Sequence, residues 1–210
     1  MLSRKNFKNS SDIKVGVIGY GGSYNMGKVH LNEMKNAGMI PLAVTEIDPL
    51  RLKEAKVDFS NIETYTSVED MLKLSKVDLI AIITPHNTHA KLALQCLKAG
   101  KNVICEKPFA ITTKECDEMI SVAKKNKLLI STYHNRHWDG CILQALKVIK
   151  SNAIGDVVRI EAHIGKWSKP QDWWRSSKSI SGGILYDWGV HLLEYSLQII
   201  NSEITEVMGF

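Results

Sequence analysis

Between Ile13 and Thr132 short apolar runs alternate with longer stretches of helical periodicity, and this alternation restricts the chain more than any other feature. The runs are Ile13–Ile18, Ile40–Thr45, Leu79–Ile83, Asn102–Cys105 and Leu128–Thr132. Strands separated by helices cannot be joined by hairpins. They need crossovers, which place parallel strands in one sheet with helices on both faces. The expected fold class is therefore α/β, a doubly wound parallel sheet of the Rossmann type. Such sheets bind ligands at the carboxyl ends of their strands, so the residues that follow each run are where chemistry is sought.

Composition sets the outer bounds. The chain has 210 residues, 44% of them hydrophobic and 23% charged, enough for one large or two modest globular domains. Its formal charge of +5 comes from lysines scattered over helices, with no basic run interleaved with aromatics, which argues against a nucleic-acid partner. Leu79–Ile83 is among the longest apolar runs and is far too short to cross a bilayer. Met1 to Ser11 is polar, lacks the apolar core of a secretion signal, and reads as a frayed lead-in. Cys96, Cys105, Cys116 and Cys141 show no paired spacing and fall in helical or strand patterns, so reduced, packed thiols in a cytoplasmic protein are expected.

The first strand runs into Gly19-Tyr20-Gly21-Gly22-Ser23-Tyr24-Asn25-Met26-Gly27 and then a helix that stops near Ala37. A dinucleotide loop needs one glycine for the tight turn, a second where backbone approaches the pyrophosphate and a third for helix packing. Gly19 and Gly21 fill the first two roles, with Gly22, Tyr24, Asn25 and Met26 beside them. Gly27 comes later than the short motif would place the third, so the loop reads as lengthened by Ser23 to Met26. The helix N-terminus then offers N–H groups to phosphate. Glu46 follows the second strand, where an acidic side chain accepts from the adenine ribose and repels a 2′-phosphate. This favours NAD over NADP, with Arg51 nearby weighing the other way. Asp48 reads as the cap of a helix that begins at Pro49.

Three further strand ends are polar: Thr84-Pro85-His86-Asn87-Thr88-His89, Glu106-Lys107-Pro108, and Tyr133-His134-Asn135-Arg136-His137. Helix capping or cofactor contact accounts for His89. His86 with His89, and His134 with His137, are three residues apart, but no acidic or thiolate partner stands at a recognisable spacing, so no metal site is assigned.

The second half reads as a helix, Asp139–Ser151, then a long strand, Val157–Lys166. The polar loop Lys169–Lys178 carries Trp173, Trp174 and Arg175. Its tryptophans either flank a hydroxylated ring or close a domain interface. Ser181-Gly182-Gly183 opens a helix on which Asp187, His191 and Glu194 share one face, while its other residues are mostly apolar. A largely buried helix with such a stripe marks a functional candidate, with a structural histidine as the alternative.

The glycine loop, Thr84-Pro85 with His89, Glu106-Lys107-Pro108, and Gly182-Gly183 followed by Asp187 and His191 together resemble, in this order, the Gfo/Idh/MocA family of oxidoreductases. The resemblance implies a nucleotide-binding domain, 1–134, and a substrate domain, 135–210, built on an open and mostly antiparallel sheet. It implies Lys107 and His191 as a catalytic pair with Asp187, and NAD as cofactor, held by the glycine loop, Glu46, Thr84, Pro85, His86, His89, Glu106 and Lys107. The implied substrate is a sugar or cyclic polyol, with Asn135, Arg136, Trp174, Arg175, Asp187 and His191 around it. A glycosidase acting through transient oxidation, or a non-catalytic NAD sensor, are the other classes the family offers. A homo-oligomer is expected of the full family architecture. Glu203 to Phe210 reads as a second strand of the C-terminal sheet, so the expectation is of a truncated domain.

Overall fold

The computed structural model describes residues 6–22, 24–169, 171–200 and 202–209, in two units, Met1–Tyr133 and His134–Phe210. Ser23 of the glycine loop, Pro170 of the tryptophan loop, Phe210 and the first five residues of the lead-in lie outside the described residues.

In the first unit, six parallel strands stand in the order β3-β2-β1-β4-β5-β6. They are β1 (Lys14–Ile18), β2 (Ile40–Thr45), β3 (Glu63–Tyr65), β4 (Leu79–Ile82), β5 (Asn102–Glu106) and β6 (Ile130–Tyr133). The connecting helices are α1 (Met26–Asn36), α2 (Pro49–Asp58), α3 (Val68–Leu74), α4 (His89–Lys98) and α5 (Thr113–Asn126). This is the doubly wound order, in which the winding reverses between β1 and β4 and opens a crevice at their carboxyl ends. The strand β3 has no counterpart among the runs read from sequence, because Glu63-Thr64-Tyr65 is too short and too polar to show a period.

Two apolar layers hold the sheet. Val15, Val17, Leu31, Val44 and Ala81 pack on one face, and Ile80, Ile82, Leu97, Val103 and Met119 on the other. Local chemistry fixes the helix starts. Asp48 Oδ1 accepts from Leu50 N at 2.9 Å with Pro49 in the first turn, and Thr112 Oγ1 accepts from Glu115 N at 3.2 Å while Glu115 reaches back to Thr112 N at 2.9 Å. The end of the lead-in is more ordered than its polarity suggests: Ser10–Asp12 form a 3₁₀ turn, and the Asp12 carboxylate accepts from Asn9 N at 3.1 Å.

The second unit holds α6 (Gly140–Lys150), α7 (Lys178–Ser181), a π-helical turn (Leu185–Gly189) and α8 (Val190–Ile199). The strands expected at Val157–Lys166 and Glu203–Phe210 do not form among the described residues, nor does the antiparallel sheet that would contain them. A strand exists only through its ladder, and among the described residues these segments find none; Val158 is 95% exposed and Val207 is exposed as well, while Val157 and Ile160 are half-buried. The helix carrying His191 is also less buried than its composition suggests. Ile184, Leu185, Leu193 and Leu197 are exposed, because its apolar residues circle the helix while only one side is packed. Among the four cysteines, all free, Cys141 is exposed rather than packed, while Cys96 and Cys105 are buried.

Candidate active site

The glycine loop sits over the crevice. Gly19 has φ +92°, and a Cβ there would meet Ile83 O at 2.2 Å, so only glycine lets β1 turn against the end of β4. Gly27 supplies the third glycine role despite its late position: a Cβ would lie 2.6 Å from Tyr20 Cα and 2.7 Å from Gly19 O. Asn25, in the left-handed region, ends the loop without a side-chain cap, and the first-turn amides of α1 have no acceptor within the helix. Close approach by small residues and an uncapped helix start suit a pyrophosphate, so the residues present fit a dinucleotide. Gly22 and Tyr24 are exposed on this loop.

Glu46 organises the same loop. Its Oε2 accepts from Tyr20 N at 2.9 Å and Gly21 N at 3.4 Å, and its Oε1 from Ile47 N at 2.7 Å and Asp48 N at 3.2 Å. A cleft of about 490 Å³ opens beside it, lined by Tyr20, Asn25, Lys28, Arg51, Glu54 and Asp58 among others. Tyr20 is buried, and its hydroxyl donates to Asp58 Oδ2 at 2.7 Å while Lys28 Nζ meets Oδ1 at 2.6 Å; burial and this carboxylate push the Tyr20 hydroxyl well up. Tyr20 thus ties the loop to the end of α2.

At the end of β5, Glu106 and Lys107 are not a solvated pair. Glu106 Oε1 lies 2.9 Å from Nε2 of His30, a buried residue of α1, and Oε2 accepts from Lys107 N at 3.1 Å. Tyr133, at the end of β6, packs on His30 with ring centroids 4.2 Å apart and donates to Glu33 Oε2 at 2.7 Å. The Lys107-Pro108 peptide is cis. His89 holds the next exit: Nδ1 lies 2.8 Å from Pro108 O and Nε2 2.9 Å from Thr84 O. Burial lowers its pKa, with Lys107 acting the same way, while the two carbonyls and Glu106 oppose. A neutral ring donates to only one of those carbonyls at a time. Both His89 nitrogens face backbone carbonyls, and its single N–H bonds one of them at the exits of β4 and β5. Thr84 Oγ1 and Thr88 Oγ1 are 2.6 Å apart, Thr88 Oγ1 also donates to Pro85 O at 2.6 Å, and the buried His86 ring stands 5.8 Å from His89.

In the second unit the buried groups are polar. Asp187, on the π turn, accepts from Arg175 Nη1, whose guanidinium lies 4.8 Å from the Trp174 ring centroid and 5.3 Å from that of Trp173. His191, the second residue of α8, has Nδ1 3.1 Å from Nε2 of His134. Glu194 faces His137 and Gln198. Arg136 donates to Asp139 at 3.1 Å and lies 5.0 Å from the Trp188 ring, and Asp139 also accepts from Tyr195 Oη at 2.6 Å. These bonds, from Tyr195 first, hold the Asp139 carboxyl below its usual range. Asn135 is exposed at the start of a 3₁₀ turn.

His30, Tyr20 and His134 escaped the sequence reading as site residues. For His30 the signal was present: it falls with Gly27, Leu31 and Met34 on the buried face of α1, an ionisable group at a core position. Tyr20 gave none, and His134 stood out only as part of a polar strand end, since the partner of each is remote in sequence.

A parallel sheet in this order, with a close-packed glycine loop and a polar rim, defines a dinucleotide-binding protein of the Rossmann class. The chain belongs to the Gfo/Idh/MocA family of oxidoreductases: residues 13–134 match the model of its NAD-binding Rossmann fold and residues 142–210 that of its C-terminal domain. It is similar to a scyllo-inositol 2-dehydrogenase (NADP(+)) of Bacillus subtilis, 29% identical over 188 residues, covering 89% of this chain and 51% of the relative. It is also similar to a myo-inositol 2-dehydrogenase of Thermotoga maritima, 29% identical over 200 residues, covering 94% and 58%. A solved NAD-binding protein from Listeria innocua superposes with a TM-score of 0.81 at 33% identity, over 90% of this chain and 55% of that one. The chain spans about half the length of the curated relatives it matches.

Proposed function

We propose that the protein is an NAD-dependent dehydrogenase of a sugar or cyclic polyol hydroxyl. The observation that carries this reading is the end of β5, where Glu106, bonded to buried His30, and Pro108, bonded to buried His89, hold Lys107 at the carboxyl rim of an NAD-binding sheet. Lys107 donates a hydrogen bond to the substrate hydroxyl and polarises it. His191 takes the hydroxyl proton as the carbinol hydrogen leaves with its electron pair. The nicotinamide, when bound, supplies the hydride acceptor. Asp187 and Arg175, the latter beside the indoles of Trp173 and Trp174, offer polar contacts to neighbouring hydroxyls, with Asn135 and Arg136. Two inositol dehydrogenases among the relatives support a polyol. Glu46 supports NAD over NADP, and free cysteines, two of them buried, support a reducing cytoplasmic setting.

The test is calorimetric titration of the chain with NADH and with NADPH, followed by NAD reduction on a panel of inositols and aldoses. Tighter NADH binding and turnover on a cyclic polyol are expected, with Lys107→Ala and His191→Ala each slowing turnover by on the order of a hundredfold or more. Absence of dinucleotide binding by the folded chain, or turnover within about tenfold of wild type in both variants, would overturn the reading.

A further inference from the structure

Two histidine nitrogens 3.1 Å apart can share only one hydrogen, so the tautomers of His134 and His191 are coupled. If His134 donates, the hydrogen of a neutral His191 sits on Nε2, and no lone pair remains there to take a proton. If His191 donates from Nδ1, its Nε2 carries the lone pair. We propose that His134 is the positioning residue for His191, accepting the His191 Nδ1 hydrogen on its own Nε2 and so making His191 Nε2 the basic atom. This rests on the reading of His191 as the base in hydroxyl oxidation, and it adds the group that sets its tautomer.

The surroundings agree. His191 is 3% exposed, so bulk water does not replace His134 as the partner of Nδ1. Its ring meets His134 edge-on with centroids 5.0 Å apart, and Trp188 edge-on at 5.7 Å, which leaves little rotational freedom. When Nε2 takes the substrate proton, the Nδ1 hydrogen stays on the neutral His134 acceptor, and no second proton transfer is needed. The pair cannot hold two charges, since two N–H groups would then face each other. Asp139, bonded to Arg136 and Tyr195, lies close enough to feel charge on His191 and favours the imidazolium formed in the step. A base oriented by a third group through its far nitrogen is a general device of proton transfer.

The test is ¹⁵N NMR of the histidine-labelled chain at neutral pH, with His191 assigned by loss of its signals in His191→Asn. A pyrrole-type Nδ1 and pyridine-type Nε2 are expected for His191. His134→Phe should shift His191 to the Nε2–H form, and His134→Gln, whose amide oxygen can accept in place of Nε2, should keep the original form. On the best polyol, His134→Phe should lower kcat by on the order of a hundredfold with KM within about twofold, and His134→Gln should recover about tenfold of it. A pyridine-type Nδ1 in the wild-type protein, or an unchanged tautomer and kcat in His134→Phe, would overturn the proposal. Should His134→Phe not fold, the wild-type and Gln spectra decide. The spectra need no turnover, so a chain inactive on every polyol overturns the hydride-transfer reading while the tautomer still settles the role of His134.

Discussion

The two units are built on opposite interiors. Among the described residues every buried apolar side chain precedes residue 124, whereas the buried side chains of the second unit are Ser181, Asp187 and His191, all polar. The first unit is closed by oil: two apolar layers on a sheet whose ladder satisfies its own backbone. The second is organised by a polar network running from His134 to His191, Arg136 to Asp139 to Tyr195, and His137 to Glu194, while Leu185, Leu193 and Trp167 face outward. Area-driven packing is non-directional and stable; hydrogen-bonded packing is directional and weaker per group. The contrast teaches that one chain holds its side chains in two ways, by apolar burial in the first unit and by paired polar groups in the second.

All five tryptophans follow residue 133, which makes the contrast measurable. In urea, tryptophan fluorescence should report loss of the second unit at a lower midpoint than far-UV circular dichroism, which is weighted toward the larger sheet unit; coincident transitions would break the comparison. The largest single-residue loss is expected in the apolar interior: Ile80→Ala should cost about 2–5 kcal/mol in the dichroism transition. Glu106→Ala should cost less, about 1–3 kcal/mol, by leaving His30 buried without its partner, and Glu106→Gln should restore part of it.

Smaller still is a pH effect. His89 has its folded pKa below its unfolded value, near 6.5, because burial opposes its charge. Its contribution to stability is therefore full above about pH 6.5 and is lost as pH falls through the folded pKa. His89→Gln should flatten that part of the pH profile, read by thermal unfolding from neutral to mildly acid solution. At the low end, Leu185→Ala should change stability by less than about 0.5 kcal/mol, since the side chain is already exposed; a core-sized loss would show that this face is packed in solution.

Reading the chain from its residues succeeded where stabilisation is local or periodic. Five of the six strands, the Asp48 cap and the glycine turn at Gly19 follow from apolar runs, a capping carboxylate and a tight-turn glycine. It placed Glu106 and Lys107 at the carboxyl end of a parallel strand, which is where β5 puts them. It failed for β3, which has no period, and for the strands expected at 157–166 and 203–210, where no ladder forms among the described residues. It also took Asp187 and His191 as a stripe on a regular helix, whereas a π turn precedes α8, and Arg175, which meets Asp187, and His134, which meets His191, come from elsewhere in the chain.

By itself, then, the sequence determined the winding of the first unit and the residue types at its rim, since crossover geometry, caps and burial periods are encoded within neighbouring residues. Only the tertiary structure decided which polar atom meets which: that His30 holds Glu106, that both His89 nitrogens face carbonyls, and that His134 stands at Nδ1 of His191. Those pairings join residues up to 76 positions apart, and hydrogen bonds select partners by distance and direction that no local pattern records.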